Sequence, residues 1–177
     1  GLDGEEFKPR PAVKSELTSK TYLNKLFLER GFSATDLNNY LDCPLKYFYQ
    51  NLLRLTRGQE KYLLYGTAVH QTLKDFFDRY RAGERWPAAK MLARFKFYLS
   101  RQPFAATDLA DSWAKGRRAL AGYLQHYHYR WPDKIINEYV IRGVDFGRGI
   151  KLNGKIDKLE FVTGENRVRV VDYKSSL

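Results

Sequence analysis

The stretch at residues 150–174 constrains the fold more than any other part of the sequence, because it has the features of a β-hairpin. Its first strand, residues 150–162, has mostly alternating polarity, and its second is rich in β-branched side chains. The four residues between the strands, Thr-Gly-Glu-Asn, have the composition of a turn. If the loop has two or four residues, Val162 faces Arg167, and the position numbers of each cross-strand pair sum to 329.

Two aspartates meet in this register. Asp157 falls opposite Asp172, so their Cβ atoms should lie about 5 Å apart on one face of the sheet. Carboxylates this close repel each other, which should raise the pKa of at least one of them in the absence of a cation. Lys174 follows Asp172 by two residues, so its side chain leaves the same face. Two acids and a lysine there can hold a divalent metal ion beside a phosphate, whereas a loop of odd length would break the arrangement.

The composition is typical of a folded domain in a reducing compartment. The chain has 177 residues, 44% of them hydrophobic, which is enough for one domain with a core. It contains no run of eighteen apolar residues, and its polar, acidic start is unlike a signal peptide. A single cysteine excludes an internal disulfide, so we predict a cytoplasmic location. Because the sequence begins without methionine, we interpret it as part of a longer protein.

The single cysteine, Cys43, allows two interpretations. A lone cysteine at a helix junction, here followed by Pro44, is typical of a small buried hydrophobic residue. The alternative is one ligand of an iron–sulfur cluster. Such a cluster would need three further cysteines, which this sequence does not contain.

The distribution of charge favours a polyanionic partner. The formal net charge is +11, and residues 85–130 contain nine basic and two acidic residues interleaved with aromatic side chains. We interpret this stretch as a nucleic-acid-binding surface, with Lys115, Arg117 and Arg118 as candidate DNA contacts. The alternative is a solvated basic face that serves solubility.

Helix signals dominate the first 130 residues. Residues 1–32 are predicted to be a lead-in or linker that contains a short helix from about Lys20 to Glu29. Ser33 and Asp36 have the spacing of a capping box, which predicts the start of the next helix. Further helices are predicted from Pro44 to residue 53, at residues 63–81, and over residues 87–130 with a break near residues 102–103.

After residue 132 the pattern changes to strands. We predict a strand at residues 135–142, a glycine-rich turn at residues 143–149, and then the hairpin. Helices followed by a three-stranded antiparallel meander indicate an α/β (α+β) domain. The predicted domain covers residues 33–177.

One helix carries a candidate site residue. The segment Gly66-Thr-Ala-Val-His70 begins with small residues, which would let another backbone approach this helix closely. His70 shares a helix face with Leu73, Lys74 and Phe77. A lone histidine on a helix is usually structural or exposed, so the assignment depends on the other motifs.

Three motifs together resemble one family. The sequence resembles the PD-(D/E)XK nuclease superfamily, in particular its RecB-like exonuclease branch. The resemblance lies in Gly154-Lys-Ile-Asp157, in Asp172-Tyr-Lys174 across the hairpin, and in the His70 segment. Ser33-Ala-Thr-Asp-Leu and Leu41-Asp-Cys-Pro-Leu-Lys-Tyr-Phe resemble the opening of such domains, so the resemblance runs from Ser33 to the end. It implies a restriction-endonuclease-like core.

The resemblance also implies roles for individual residues. The ligands of Mg²⁺ or Mn²⁺ would be Asp157, Asp172, the backbone carbonyl of Tyr173, and His70. Lys174 would orient the attacking water and stabilise charge on the phosphate. Glu138 matches an acidic residue often found on the first strand of such domains and would be a further metal ligand. These roles agree with the preference of hard divalent ions for oxygen ligands.

The resemblance has two departures. Members usually continue with a helix that carries a Gln and a Tyr and then a strand, and the iron–sulfur members have three further cysteines there, whereas this sequence ends at Leu177. We therefore expect a domain truncated before its last helix and strand, which would be poorly active by itself. Such domains are often attached to a helicase, and this chain contains no Gly-x-x-x-x-Gly-Lys-Ser/Thr loop of its own.

The motifs and the charge lead to one function and two alternatives. We expect a metal-dependent DNA exonuclease domain that acts in DNA repair or recombination as part of a larger helicase–nuclease. A non-catalytic DNA-binding or scaffolding domain with the same fold is the first alternative. The second is a structural ion cluster in the hairpin, which would explain neither the basic stretch nor His70.

Overall fold

The computed structural model describes residues 19–55, 61–162, 164 and 166–174. Helices come first and a three-stranded antiparallel sheet of order β1-β2-β3 follows, which confirms the predicted mixed fold with a restriction-endonuclease-like architecture. The predicted lead-in up to residue 18 lies outside the described residues. The elements are α1 (Lys20–Arg30), α2 (Ala34–Asp42), α3 (Pro44–Lys46) with a π-helical continuation (Tyr47–Leu52), α4 (Lys61–Arg81), α5 (Ala88–Leu99), α6 (Ala106–Tyr127), β1 (Ile135–Gly147), β2 (Ile150–Phe161) and β3 (Val168–Val171).

The described residues form two compact units. The smaller unit contains residues 19–55 and 143–153, and the larger unit contains residues 61–142 and 154–174. The predicted domain boundary at residue 33 stays a prediction. None of the helices within the described residues combines the length and the hydrophobicity needed to cross a bilayer.

Local signals set the helix ends of the smaller unit. Gly31 ends α1 with φ of 69°, a conformation that glycine adopts without steric cost, and its N–H donates to the carbonyl of Phe27. The predicted capping box is confirmed, because Ser33 Oγ accepts from the N–H of Asp36 at 3.2 Å and Asp36 Oδ2 accepts from the N–H of Ser33 at 2.8 Å. Cys43 is half-buried at the junction between α2 and α3.

The core of the larger unit is aromatic and lies against α4. Phe76 and Phe77 are fully buried on this helix, and the ring of Phe77 lies 5.0 Å from that of Trp131 in an edge-to-face arrangement. The predicted break in the following helical stretch is confirmed, since α5 ends at Leu99 and α6 begins at Ala106. Gly116 on α6 lets the ring of Phe95 on α5 occupy the place of a side chain.

The hairpin register is the predicted one. Lys158 pairs with Val171, Glu160 pairs with Arg169, and Val162 N–H donates to the carbonyl of Arg167 at 3.1 Å. The four residue pairs of β2 and β3, from Lys158–Val171 to Phe161–Val168, all have positions that sum to 329. Two of the four loop residues, 163 and 165, lie outside the described residues.

The first strand is longer than predicted. It continues to Gly147, and the turn that we placed at residues 143–149 is limited to Arg148 and Gly149. Both turn residues have positive φ, 52° and 76°, as in the tight two-residue hairpin turns whose twist matches that of the strands. Glycines at residues 143 and 147 therefore belong to the strand rather than to a broad loop.

Candidate active site

His70, Asp157 and Tyr173 converge at the end of the hairpin. The Nδ1 atom of His70 lies 3.3 Å from Oδ1 of Asp157, and its Nε2 atom lies 3.1 Å from the carbonyl oxygen of Tyr173. The backbone N–H of Tyr173 donates to Oδ2 of Asp157 at 2.8 Å. The Asp157 side chain is only 13% exposed and that of His70 is 30% exposed. A helix, a strand and the segment after β3 thus supply one cluster of donor atoms.

The imidazole of His70 faces an acceptor at each ring nitrogen. A neutral imidazole donates from one nitrogen only, so a single tautomer satisfies either the Asp157 carboxylate or the Tyr173 carbonyl. The nitrogen without a proton then presents a lone pair towards an oxygen atom. That lone pair and the two oxygen atoms are the kinds of donor that a transition-metal ion accepts.

Asp172 and Lys174 form an exposed ion pair beside this cluster. The Nζ atom of Lys174 lies 2.6 Å from Oδ2 of Asp172, and the two side chains are 81% and 59% exposed. The hydrogen bond from Lys174 lowers the pKa of Asp172 below its usual value, and contacts with Asp157 and His70 act in the same direction. The rise in pKa expected from carboxylate repulsion therefore does not occur at Asp172, because a lysine on the same face neutralises it.

Glu138 lies in a groove next to His70. The groove has a volume of about 570 Å³ and is lined by residues of α4 together with Glu138 and Lys155. Glu138 Oε2 lies 2.5 Å from Nζ of Lys155. The backbone of Glu138 is left-handed, with φ of 52°, which is rare for a residue with a Cβ atom and is typical of irregular strand positions beside active sites.

Comparison with protein families identifies the family of the chain. The family profile of the PD-(D/E)XK nuclease superfamily matches residues 31–177. The chain belongs to the PD-(D/E)XK nuclease superfamily. Neither the search of curated proteins nor that of solved structures returned a significant match.

The donor atoms at this site are of the kinds that a divalent metal ion accepts. Two carboxylates and a backbone carbonyl supply hard oxygen ligands, and His70 supplies the nitrogen that suits Mn²⁺ better than Mg²⁺. Among the described residues, no three His, Cys, Asp or Glu side chains already lie close enough together to hold an ion. Asp172 is turned towards Lys174, so it would have to exchange that contact for the ion.

One feature near the site was not predicted from the sequence, a buried ion pair directly after Asp157. The Nζ atom of Lys158 lies 2.7 Å from Oε1 of Glu160, and the two side chains are 1% and 3% exposed. Glu160 also accepts from Arg169 on the neighbouring strand at 3.0 Å. Burial lowers the pKa of Lys158, although the bond to Glu160 opposes the shift. The sequence contains a sign of this pair, because the alternation of polar and apolar residues along β2 is interrupted at Asp157 by two consecutive polar positions.

The other predicted site residues lie elsewhere. Arg117 and Arg118 are exposed on α6, while Lys115 lies 5.4 Å from the ring of Tyr65. Several other basic residues of this stretch form ion pairs within the chain, as Arg94 does with Asp75 at 2.5 Å. Their contact with DNA stays a prediction. Cys43, the candidate cluster ligand, belongs to the smaller unit.

Proposed function

We propose that the chain is the catalytic domain of a Mg²⁺- or Mn²⁺-dependent DNA exonuclease of the RecB-like branch. Its parent protein would act in DNA repair or recombination and would carry or bind a helicase. The observation that supports this proposal is the convergence of His70, Asp157 and the Tyr173 carbonyl beside Asp172 and Lys174. A positively charged chain suits a polyanionic substrate.

Each residue of the site has one task in this proposal. Asp157 and the Tyr173 carbonyl would hold the ion, with Asp172 and His70 completing its ligands. A divalent ion bound there would polarise the scissile phosphate and offset its developing charge. The Tyr173 N–H keeps the Asp157 carboxylate in a fixed orientation, so this one ligand needs little reorganisation to receive the ion.

Lys174 would act on the substrate rather than on the ion. Its side chain is 81% exposed and hydrogen-bonds Asp172, so the ammonium group can approach a phosphate without desolvation of a buried charge. The bond to Asp172 raises the pKa of Lys174, which keeps the group cationic. A compact point charge in this place can neutralise a phosphate oxygen and orient a water molecule towards phosphorus.

In the decisive experiment the parent protein is given linear or covalently closed circular DNA in the presence of Mg²⁺, Mn²⁺ or EDTA. An exonuclease should release nucleotides from end-labelled linear DNA only when metal is present, and it should leave the circle intact. Asp157→Asn should abolish release. Asp133→Asn, which removes an exposed carboxylate outside the site, is the matched control and should retain activity. Metal-independent release, or full activity of Asp157→Asn, would exclude the proposed mechanism, and cutting of the circle would exclude the exonuclease assignment.

A further inference from the structure

The residue Tyr173 belongs to two environments at once. Its backbone N–H and carbonyl contact Asp157 and His70 in the candidate active site. Its ring packs against the core of the larger unit and lies 5.7 Å from Nζ of Lys158. Anything that holds this ring therefore also fixes the backbone groups on which the site depends.

The buried pair Lys158–Glu160 lies where the ring is held. Lys158 Nζ is 3.9 Å from the ring centre of Phe77 and 3.3 Å from the hydroxyl of Tyr123, in addition to its ion pair with Glu160. The ammonium group therefore contacts the helices α4 and α6 as well as the ring of Tyr173. A lysine that is 1% exposed can adopt few other positions in such surroundings.

The same pair also fixes the two strands relative to each other. Glu160 bridges Lys158 on its own strand and Arg169 on the next, and Lys158 and Val171 form the cross-strand pair next to the aspartates. A buried ion pair is rarely more stabilising than apolar residues of the same volume, but it can select one arrangement over its alternatives. Here a slip of one residue would move a lysine into the place of Asp157.

We propose that Lys158 and Glu160 are positioning residues of the nuclease, which act through Tyr173 to orient its carbonyl and the Asp157 carboxylate. This inference rests on the proposed function. It assigns a role in metal affinity to two residues that face away from the metal ligands. Positioning residues behind a metal site typically contribute about 10- to 100-fold to metal affinity or activity.

The test has two readouts that do not require cleavage. Amide hydrogen exchange at Tyr173 reports the hydrogen bond to Asp157 in the metal-free protein. Mn²⁺ titration followed by electron paramagnetic resonance reports affinity for the ion. Lys158→Met should accelerate exchange at Tyr173 at least tenfold and should weaken Mn²⁺ binding by about 10- to 100-fold. Lys158→Arg, which keeps the charge and the bond to Glu160, should recover most of both.

A stability-matched control separates positioning from general loosening. Met91→Ala removes a fully buried side chain from α5 and should lower Tm through a cavity without changing Mn²⁺ affinity. If Lys158→Met does not fold, Glu160→Gln carries the test, because it removes the charge and preserves the shape. The comparison is made between variants with the same loss of Tm. If Met91→Ala then changes Tyr173 exchange and Mn²⁺ affinity as much as the Lys158 or Glu160 variant does, the inference is overturned.

The two proposals fail in different ways. A wild-type parent protein that binds Mn²⁺ and shows a protected Tyr173 amide, but cleaves no DNA, would contradict the proposed exonuclease function alone. Normal cleavage and metal affinity in both Lys158→Met and Glu160→Gln would contradict the positioning role and leave the assignment intact.

Discussion

His70 and Tyr173 are 103 positions apart in sequence, yet the Nε2 atom of the first lies 3.1 Å from the carbonyl oxygen of the second. A helix that precedes the strands in sequence, α4, therefore supplies a side chain to a site whose carboxylates come from the last two strands and the segment after them. Gly66, which precedes His70 by about one helical turn, is buried and lines the same groove as His70 and Glu138. The site exists only when the helix packs on the sheet.

His70→Ala should weaken Mn²⁺ binding by roughly tenfold and Mg²⁺ binding by less, because imidazole is a better ligand for Mn²⁺. The cost in stability should be small, since the side chain is 30% exposed and is not part of the apolar core. Parallel titrations with the two ions and a thermal denaturation curve measure these effects. Equal loss of both affinities would argue against His70 as a direct ligand.

Asp172→Asn should reduce metal-dependent cleavage by at least about 100-fold, because the variant loses one carboxylate ligand of the ion that offsets charge in the transition state. The fold should remain intact because the side chain is 59% exposed. Circular dichroism and Tm, measured beside the cleavage rate, check both parts. Wild-type activity in this variant would show that Asp157 alone suffices.

The same variant should reveal a pH-dependent contribution to stability. The pKa of Asp172 is below its ordinary value of 3.8 in the folded chain, so the stabilisation is present above that value and is lost as the pH falls through the folded pKa. The Tm difference between wild type and Asp172→Asn should be small at pH 6, because the pair is exposed, and should shrink further as the pH falls below 3.8. A difference that grew on acidification would contradict the sign.

Neutralising the candidate DNA contacts should flatten the salt dependence of binding. Replacement of Lys115, Arg117 and Arg118 with Gln should reduce the slope of log affinity against log salt by up to about 2 to 3, since each phosphate contact contributes roughly 0.9 on duplex DNA. Fluorescence anisotropy at several salt concentrations measures it. The charge-matched control replaces exposed basic residues of the smaller unit, Lys20, Lys25 and Arg148. Equal slopes for the two triple variants would identify the stretch as a solvated face.

Gly116→Ala should destabilise the larger unit by about 1–3 kcal/mol, because its Cβ atom would overlap the ring of Phe95. Gly122→Ala is a matched control on the same helix, where a Cβ atom meets open space. It should instead stabilise the chain by up to about 1 kcal/mol through helix propensity. Urea denaturation of both variants gives the comparison, and a second change of Phe95 to Leu should recover part of the loss in the first.

The sequence predicted the hairpin because its information is local. Turn composition and β-branched strands define the pairing, and the register follows once Val162 faces Arg167. The approach of His70 could be proposed only by resemblance to a family, because no local pattern reports which helix face meets which strand. Its contact with Asp157 depends on packing between elements that are far apart in the chain.

The buried pair Lys158–Glu160 was missed for a physical reason. Alternation rules assume that the apolar residues of a strand face the core, and here Leu159 is the less buried neighbour of two charged residues. Two consecutive polar positions, Asp157 and Lys158, mark the place where the rule changes. The end of β1 was misjudged in a similar way, since its glycines were interpreted as a loop although they continue the strand.

The ring of Tyr173 has a consequence for the recognition of distant relatives. Any amino acid could supply a backbone carbonyl, so the chemistry of the site does not restrict the identity of the residue between Asp and Lys. In this chain the core constrains that residue, because the side chain of Tyr173 packs in the core while its main chain faces the site. A homologue that keeps both charged residues but has a small residue between them would retain every reactive group and lose the anchor that aims one of its ligands.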